Sequence, residues 1–355
     1  MGSLMQSGQT ARKARAELSN ELSKIMQRLF WCSLLMMAFG FASSLPAQEK
    51  AASEVAADCI SRHQLKAIVD SFPHQPATAL PKIKTFEQAY CIQAQYVEAL
   101  GKKLANEKLA HAYMENRELN DVQNGEHENA VADPGKPVGY KVGFTGEAGQ
   151  KRFAIPHPAF GVILQGMLVK SDSRLPANFA YRGLVEPDVL VTVKSRAIMQ
   201  ATTIEDVALH LDKLYAFLEL PSVRLAKDRQ VSAKELIALD IGATKMVVGE
   251  GIQVEATPAF LSMVQQAQTN FTDQNGKVVQ QAPMSNLMGH PFNAVLWLIK
   301  QLQQQGKALQ TGDYISLGAV GKLFPVAPAQ QSYHYSIEFG NGTHINASVH
   351  INAAD

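Results

Sequence analysis

Cysteine is scarce in this chain, three residues in 355, and none sits in a Cys/His cluster with zinc-site spacing. Charge of one sign is also missing: 33 Lys and Arg stand against 32 Asp and Glu. That balance removes any net electrostatic pull toward nucleic acid. No phosphate-binding P-loop and no Gly-rich dinucleotide fingerprint occurs. The longest uncharged apolar run, residues 29–42, is shorter than the ~20 residues a membrane-spanning helix needs. What is present is ordinary for a globular protein, 46% apolar and 18% charged residues, in a chain long enough for two domains or one large one.

That apolar run follows a basic lead (Arg12, Lys13, Arg15, Lys24, Arg28) and precedes the small-residue exit Ser43-Ser44-Leu45-Pro46-Ala47. The order matches a secretory signal peptide cleaved near Ala47, with Met26 as an alternative start. Residues 1–47 are therefore expected to be a signal peptide, the alternative being an uncleaved membrane anchor. The predicted destination is the periplasm or the exterior, with membrane contact only if the segment stays attached. Cleavage leaves Cys59 and Cys91. Export permits a bridge between them, and a pair of buried free thiols is the competing reading.

Residues 48–111 read as an N-terminal helical segment. Val55 to Phe72 carries apolar residues near helical spacing, and a second helix opens at Thr85 with Gln88 three residues on, a capping box. Residues 112–135 are polar and are expected to form an exposed loop. From 136 to 355 short apolar runs alternate with Gly and Pro, which predicts a β-rich α+β domain rather than a doubly wound sheet. Within it, Thr203 to Leu218 has helical spacing, Pro291 to Gln305 reads as a helix, and Tyr314 to Phe324 as a strand. Ser336 to Ile351 reads as a hairpin turning at Gly340-Asn341-Gly342.

The chemistry is concentrated in Gly183 to Val193, a strand that places Glu186 and Asp188 on one face. Pro187 between them predicts an edge or a bulge. A third acid, Glu219, interrupts the apolar run Ala216 to Pro221, where an isolated buried carboxylate is costly unless protonated, paired or metal-bound. Three converging carboxylates would form the oxygen-only donor set that hard divalent cations prefer. The competing reading of acids at i and i+2 is a solvated strand face.

Several segments, in order, resemble the 2-keto-4-pentenoate hydratase branch of the fumarylacetoacetate hydrolase superfamily. They include Phe86 to Gln93, Gly139-Tyr140-Lys141-Val142-Gly143, Pro158 to Leu164, Val185-Glu186-Pro187-Asp188, Phe217-Leu218-Glu219, Gly289 to Trp297, Thr311 to Gly318 and Phe324 to Pro328. The resemblance implies a fumarylacetoacetate-hydrolase-like mixed β fold. It also implies that Glu186, Asp188 and Glu219 hold Mg²⁺ or Mn²⁺, with Ca²⁺ a third candidate, and that Lys141 is catalytic. Phe160, Gly318 and Lys322 are the implied substrate-binding residues. The implied partner is a small 2-oxo acid or its 2-hydroxydienoic form, the implied activity a hydratase or lyase, and the implied assembly a homo-oligomer. Decarboxylation and acylpyruvate cleavage use the same metal platform.

This chain departs from the pattern at Ala159, where the family has Asp, and at Leu317 to Gly321, where the family carries hydroxyls. Asp188 also replaces a Glu. These losses admit two further readings: a degenerate relative that binds a small anion without turnover, and a membrane-anchored accessory protein. His157 and His290 lie in nearby loops and read as structural.

Overall fold

The computed structural model describes residues 59–114, 133–327, 329 and 331–353. The expected export segment 1–47 and most of the polar stretch 112–135 lie outside them.

Helix α1 (Arg62–Asp70) starts where the Ser61 hydroxyl accepts from the Gln64 N–H, and it buries Ile68 and Val69. Helix α2 (Phe86–Met114) opens at Thr85, whose hydroxyl accepts from the Gln88 N–H at 3.1 Å. The Gln88 side chain reaches back to the Lys84 N–H rather than to that of Thr85. Cys59 and Cys91 are joined in a disulfide with Cα atoms 6.0 Å apart, which ties the start of the described chain to α2.

The remaining elements follow in chain order. They are β1 (Pro137–Gly143), α3 (Glu147–Phe153), β2 (Ala159–Leu164), β3 (Leu168–Lys170), β4 (Ser173–Pro176) and β5 (Leu184–Val193). Next come α4 (Ile204–Leu209), β6 (Leu211–Leu220), α5 (Ala233–Ala238), β7 (Lys245–Gln253), α6 (Pro258–Gln266), β8 (Gln268–Asp273) and β9 (Val278–Pro283). The last are α7 (Phe292–Gln304), β10 (Tyr314–Ser316), β11 (Phe324–Pro325), β12 (Gln331–Glu338) and β13 (His344–Asn352).

One sheet runs β2-β1-β10-β5-β6-β7-β3, with β11 added to β5, and a second runs β4-β13-β12-β8-β9. The expected β-rich α+β architecture is present. The terminal hairpin turns between Phe339 and Thr343, and α7 spans the expected helix.

Three expectations require correction. The segment Thr203 to Leu218 is not one helix. Thr203 caps only α4, through a reciprocal pair with Asp206, and the chain then becomes strand β6. Leu211, Leu214 and Leu218 have helical spacing, but Ala216, Phe217 and Leu220 are equally buried. A strand covered on both faces is apolar throughout, and periodicity cannot separate it from a helix.

Pro187 does not mark a sheet edge either, since β5 lies between β10 and β6. Its carbonyl accepts from the Val320 N–H, in the gap between β10 and β11 where no strand ladder exists. The N–H that Pro lacks would point into the same gap, so the substitution costs no ladder bond. The expected strand from Tyr314 to Phe324 is likewise broken by residues 317–323, which leave the sheet at Gly318 with φ +106°.

Two apolar cores sandwich the first sheet. On β5, Val189, Val191 and Val193 join the core shared with the second sheet and α7. Leu190 joins the other core, with Ile68, Ile92, Tyr96 and Leu100 of the helical segment and Ile237 of α5. Arg224, 3% exposed, locks that helical layer in place. Its guanidinium donates to the Ile68 carbonyl and Ser71 hydroxyl, each at 2.6 Å, and to the Tyr96 hydroxyl at 2.8 Å.

Candidate active site

Alternation along β5 puts Glu186 and Asp188 on the same face as Leu190, the side covered by the helical layer. Antiparallel pairing with β6 sets Glu219 directly opposite Glu186 and Phe217 opposite Asp188. On β1, Lys141 is the register partner of Ser316 on β10 and of Gly161 on β2. The strands thus carry a polar stripe of Gly161, Lys141, Ser316, Asp188, Glu186 and Glu219 through an otherwise apolar layer.

Every charged group in this stripe is buried: Lys141 and Glu219 are 2% exposed, Glu186 7% and Asp188 0%. The Lys141 ammonium forms an ion pair with Glu219 and donates to the Ile241 carbonyl at 3.1 Å. Asp188 is held differently. One oxygen accepts from the Ser316 hydroxyl at 2.7 Å, and the other from the N–H groups of Gly318, at 3.0 Å, and Val189. Among the described residues no hydrogen-bond donor reaches the Glu186 carboxylate, and no arginine pairs with the cluster.

A fourth acid, unmarked in the sequence analysis, belongs to the group. Asp240, 0% exposed, accepts from the Val162 N–H at 2.8 Å through Oδ1 and, among the described residues, leaves Oδ2 buried without a hydrogen-bond partner. It was signalled in the same way as Glu219, by one carboxylate interrupting the apolar run Ala238 to Ala243. Ser316 was also unmarked, and only the sheet register shows that it faces Asp188.

The electrostatics follow from burial. Desolvation pushes Glu186 up to about 7, with the Lys141 charge opposing and Asp188 adding to the rise. Desolvation lifts Asp188 to about 6 against its hydrogen bonds from Ser316 and Val189, and Asp240 to about 7 against its bond from Val162. Burial pushes the Lys141 ammonium down, and Glu186, Asp240 and Asp188 push it back. With four acids around one ammonium, full ionisation would leave an excess of buried negative charge, and burial opposes it.

The other sequence-marked residues divide. The Phe160 ring is fully buried, stacked on Tyr90 at 4.9 Å, and belongs to the core on the opposite face. Gly318 meets Asp188 through its backbone, and a Cβ there would lie 2.4 Å from the Thr145 hydroxyl. Lys322 is exposed, its backbone N–H bonded to Gln280, and it is not brought to the acids. His157 bonds its own neighbour Pro158, and His290 caps the start of α7.

A cavity of about 440 Å³ is lined by Gln93, Val97, Tyr140, Val162 and Lys307 among others. Gln93 and Val97 belong to α2 of the helical layer, and Lys307 in the lining is in electrostatic reach of the Asp240 carboxyl.

Among the described residues, no three His, Cys, Asp or Glu side chains close on a common point as a finished metal cage. The donor chemistry nevertheless suits a hard divalent cation: oxygen ligands only, surplus negative charge, and a Glu186 carboxylate that no donor occupies.

No family model matches the chain. It is 22% identical over 209 residues to a 2-keto-4-pentenoate hydratase of Paraburkholderia phymatum, covering 59% of this chain and 77% of the relative. It is 23% identical over 212 residues to a 4-oxalocrotonate decarboxylase of a Pseudomonas species, covering 60% and 79%. The crystal structure of 4-oxalocrotonate decarboxylase from Pseudomonas putida G7, complexed with magnesium and adipate, superposes with a TM-score of 0.58 at 17% identity. It covers 84% of this chain and 97% of that one. By sequence the chain is similar to curated 2-keto-4-pentenoate hydratases, and its fold is that of 4-oxalocrotonate decarboxylase.

Proposed function

We propose that the protein is an exported, divalent-cation-dependent hydratase or lyase acting on a small 2-oxo acid or its 2-hydroxydienoic form. The observation that carries this reading is the buried Lys141 paired with Glu219, with Glu186, Asp240 and Asp188 in electrostatic reach. A purely structural ion pair needs one carboxylate. Four desolvated acids around one amine are expensive to keep, and the expense is understandable where the group binds a cation.

Glu186, Asp188 and Glu219 would hold Mg²⁺ or Mn²⁺. The relative from Pseudomonas putida G7 has been crystallised with magnesium and, in a second complex, with calcium and acetate. A cation held there would polarise the 2-oxo group of a chelating substrate and stabilise an enolate. Lys141, paired with Glu219, would lend positive charge to the substrate carboxylate in a setting where water is excluded. Ser316 and the Gly318 N–H orient Asp188. Phe160 and Gly318 contribute by packing and backbone position, not by side-chain contact with substrate.

Decarboxylation is the second reading, favoured by the match to 4-oxalocrotonate decarboxylase over most of the chain. Loss of carbon dioxide from a distal carboxylate conjugated to the 2-oxo group releases its electron pair into that carbonyl, so it and addition of water to a dienoic acid pass through similar enolates. The Cys59–Cys91 disulfide supports export, since such bridges persist in oxidising compartments.

The test mixes purified protein, Mg²⁺ or Mn²⁺ and a panel of 2-hydroxydienoic and 2-oxo acids, following ultraviolet absorbance. Turnover that disappears in Glu219→Ala supports the reading. Binding without turnover across the whole panel overturns it in favour of a degenerate relative. N-terminal sequencing of the mature protein decides export separately: a terminus still upstream of residue 29 would indicate an anchor.

A further inference from the structure

Among the described residues, the cluster has one fully buried carboxyl oxygen without a hydrogen-bond donor besides the Glu186 carboxylate assigned to the cation. Asp188 is saturated by three donors, and Glu219 is paired with Lys141. Asp240 spends Oδ1 on the Val162 N–H, and among the described residues its buried Oδ2 has no hydrogen-bond partner. A buried acceptor without a partner leaves its desolvation uncompensated.

The backbone is also bent to place this group. Asp240 and Ile241 have φ of +56° and +49°. That left-handed region is unusual for any non-glycine residue and an outlier for a β-branched one. The bend aims the Ile241 carbonyl at the Lys141 ammonium and the Asp240 carboxyl at the edge of β2.

Gly161 makes the room. A Cβ at that position would meet the Asp240 carbonyl and Oδ1 at 2.9 Å and Lys141 Cγ at 3.0 Å. Lys141 and Asp240 therefore converge over one bare Cα. Strained backbone, a cleared position and an unspent oxygen together are more than a hydrogen bond to one strand edge requires.

We infer that Asp240 is the catalytic proton carrier of this site, its Oδ2 exchanging a proton with the carbon next to the 2-oxo group of the substrate. The inference rests on the 2-oxo acid reading above. In the step, the C–H bond at C3 breaks and its electron pair forms the C2=C3 bond of the enolate. Negative charge passes to the 2-oxo oxygen and the proton to Asp240 Oδ2. Reversal returns a proton to C3. Burial, which lifts Asp240 to about 7, suits a group that both accepts and gives a proton near neutrality.

The test compares wild type, Asp240→Asn and Asp240→Ala in D₂O with Mg²⁺ and 2-oxopentanoate. Loss of the C3 proton is followed by NMR and affinity by calorimetry. Asn keeps an oxygen for the Val162 N–H, so it preserves the fold and holds affinity within ~3-fold while C3 exchange falls by about 10²-fold or more. Ala lacks that oxygen and also lowers the melting temperature.

Exchange by Asp240→Asn within ~3-fold of wild type overturns the assignment while leaving the functional reading intact. Exchange and affinity falling in equal proportion overturns it too, because that marks a structural role. Wild-type protein that binds 2-oxopentanoate but neither exchanges it nor turns over any acid of the panel removes the functional reading, and this assignment with it.

Discussion

Glu186 on β5 is the register partner of Glu219 on β6, and both are buried. Residues facing each other across an antiparallel pair have Cβ atoms ~5 Å apart, where like charges repel. A cation must therefore stand near them or a proton must be shared. Lys141, paired with Glu219, is the cation the chain itself provides.

Removing that cation should be costly. Lys141→Met is expected to destabilise the metal-free protein by about 3–5 kcal/mol, because it leaves buried carboxylates uncompensated. Lys141→Met with Glu219→Gln should recover part of the loss, so the two changes are non-additive. Urea unfolding of the four proteins measures the coupling, and simple additivity would show that the pair is not a unit.

Cation binding should stabilise the fold by mass action. Mg²⁺ or Mn²⁺ at one hundred times its dissociation constant adds about 2.7 kcal/mol. Thermal melts with and without chelator read this out. Glu186→Gln is expected to lose most of the metal-induced shift while melting normally without metal, since no donor of the described residues depends on that carboxylate.

The space at Gly161 is specific. Gly161→Ala forces a methyl against the Asp240 backbone and should cost about 1–3 kcal/mol. Turnover should fall further than stability explains, because Lys141 and Asp240 are pushed apart. An alanine variant with wild-type kinetics would show that the two groups need not meet there.

His290 should make stability pH-dependent. Its Nδ1 accepts from the Phe292 N–H, and Nε2 lies 3.1 Å from the Leu261 carbonyl, an arrangement for the neutral ring. Burial pushes its pKa below the usual value. The folded state then binds fewer protons than the unfolded one, so stability is full above the unfolded value near 6.5 and is lost as pH falls through it. His290→Asn keeps an acceptor for Phe292, and its deficit relative to wild type should shrink between pH 8 and pH 5. A constant deficit would exclude the titration.

The disulfide predicts the thiol count. Protein beginning at residue 49, denatured without reductant, should show no reactive thiol, and reduction should release two. Cys59→Ser should destabilise by roughly 2–4 kcal/mol. Two free thiols in the unreduced protein would contradict the bridge.

Local sequence already determined the composition class, the β-rich α+β architecture and the strand that carries Glu186 and Asp188. It also marked Glu219, since a lone carboxylate in an apolar run is visible without coordinates. It misplaced that residue's setting: β6 is buried on both faces from Ala216 to Leu220, and a fully buried stretch leaves no periodicity to distinguish it from a helix. Whether an acid is left idle, paired or saturated depends on partners far away in the chain. Ser316 and Gly318 reach Asp188 across 128 and 130 residues, and the Val162 N–H reaches Asp240 across 78. Those distances close only when the strands align in register. The sequence could name the ionisable groups, and tertiary pairing alone decided which oxygen of Asp240 would be left without a donor.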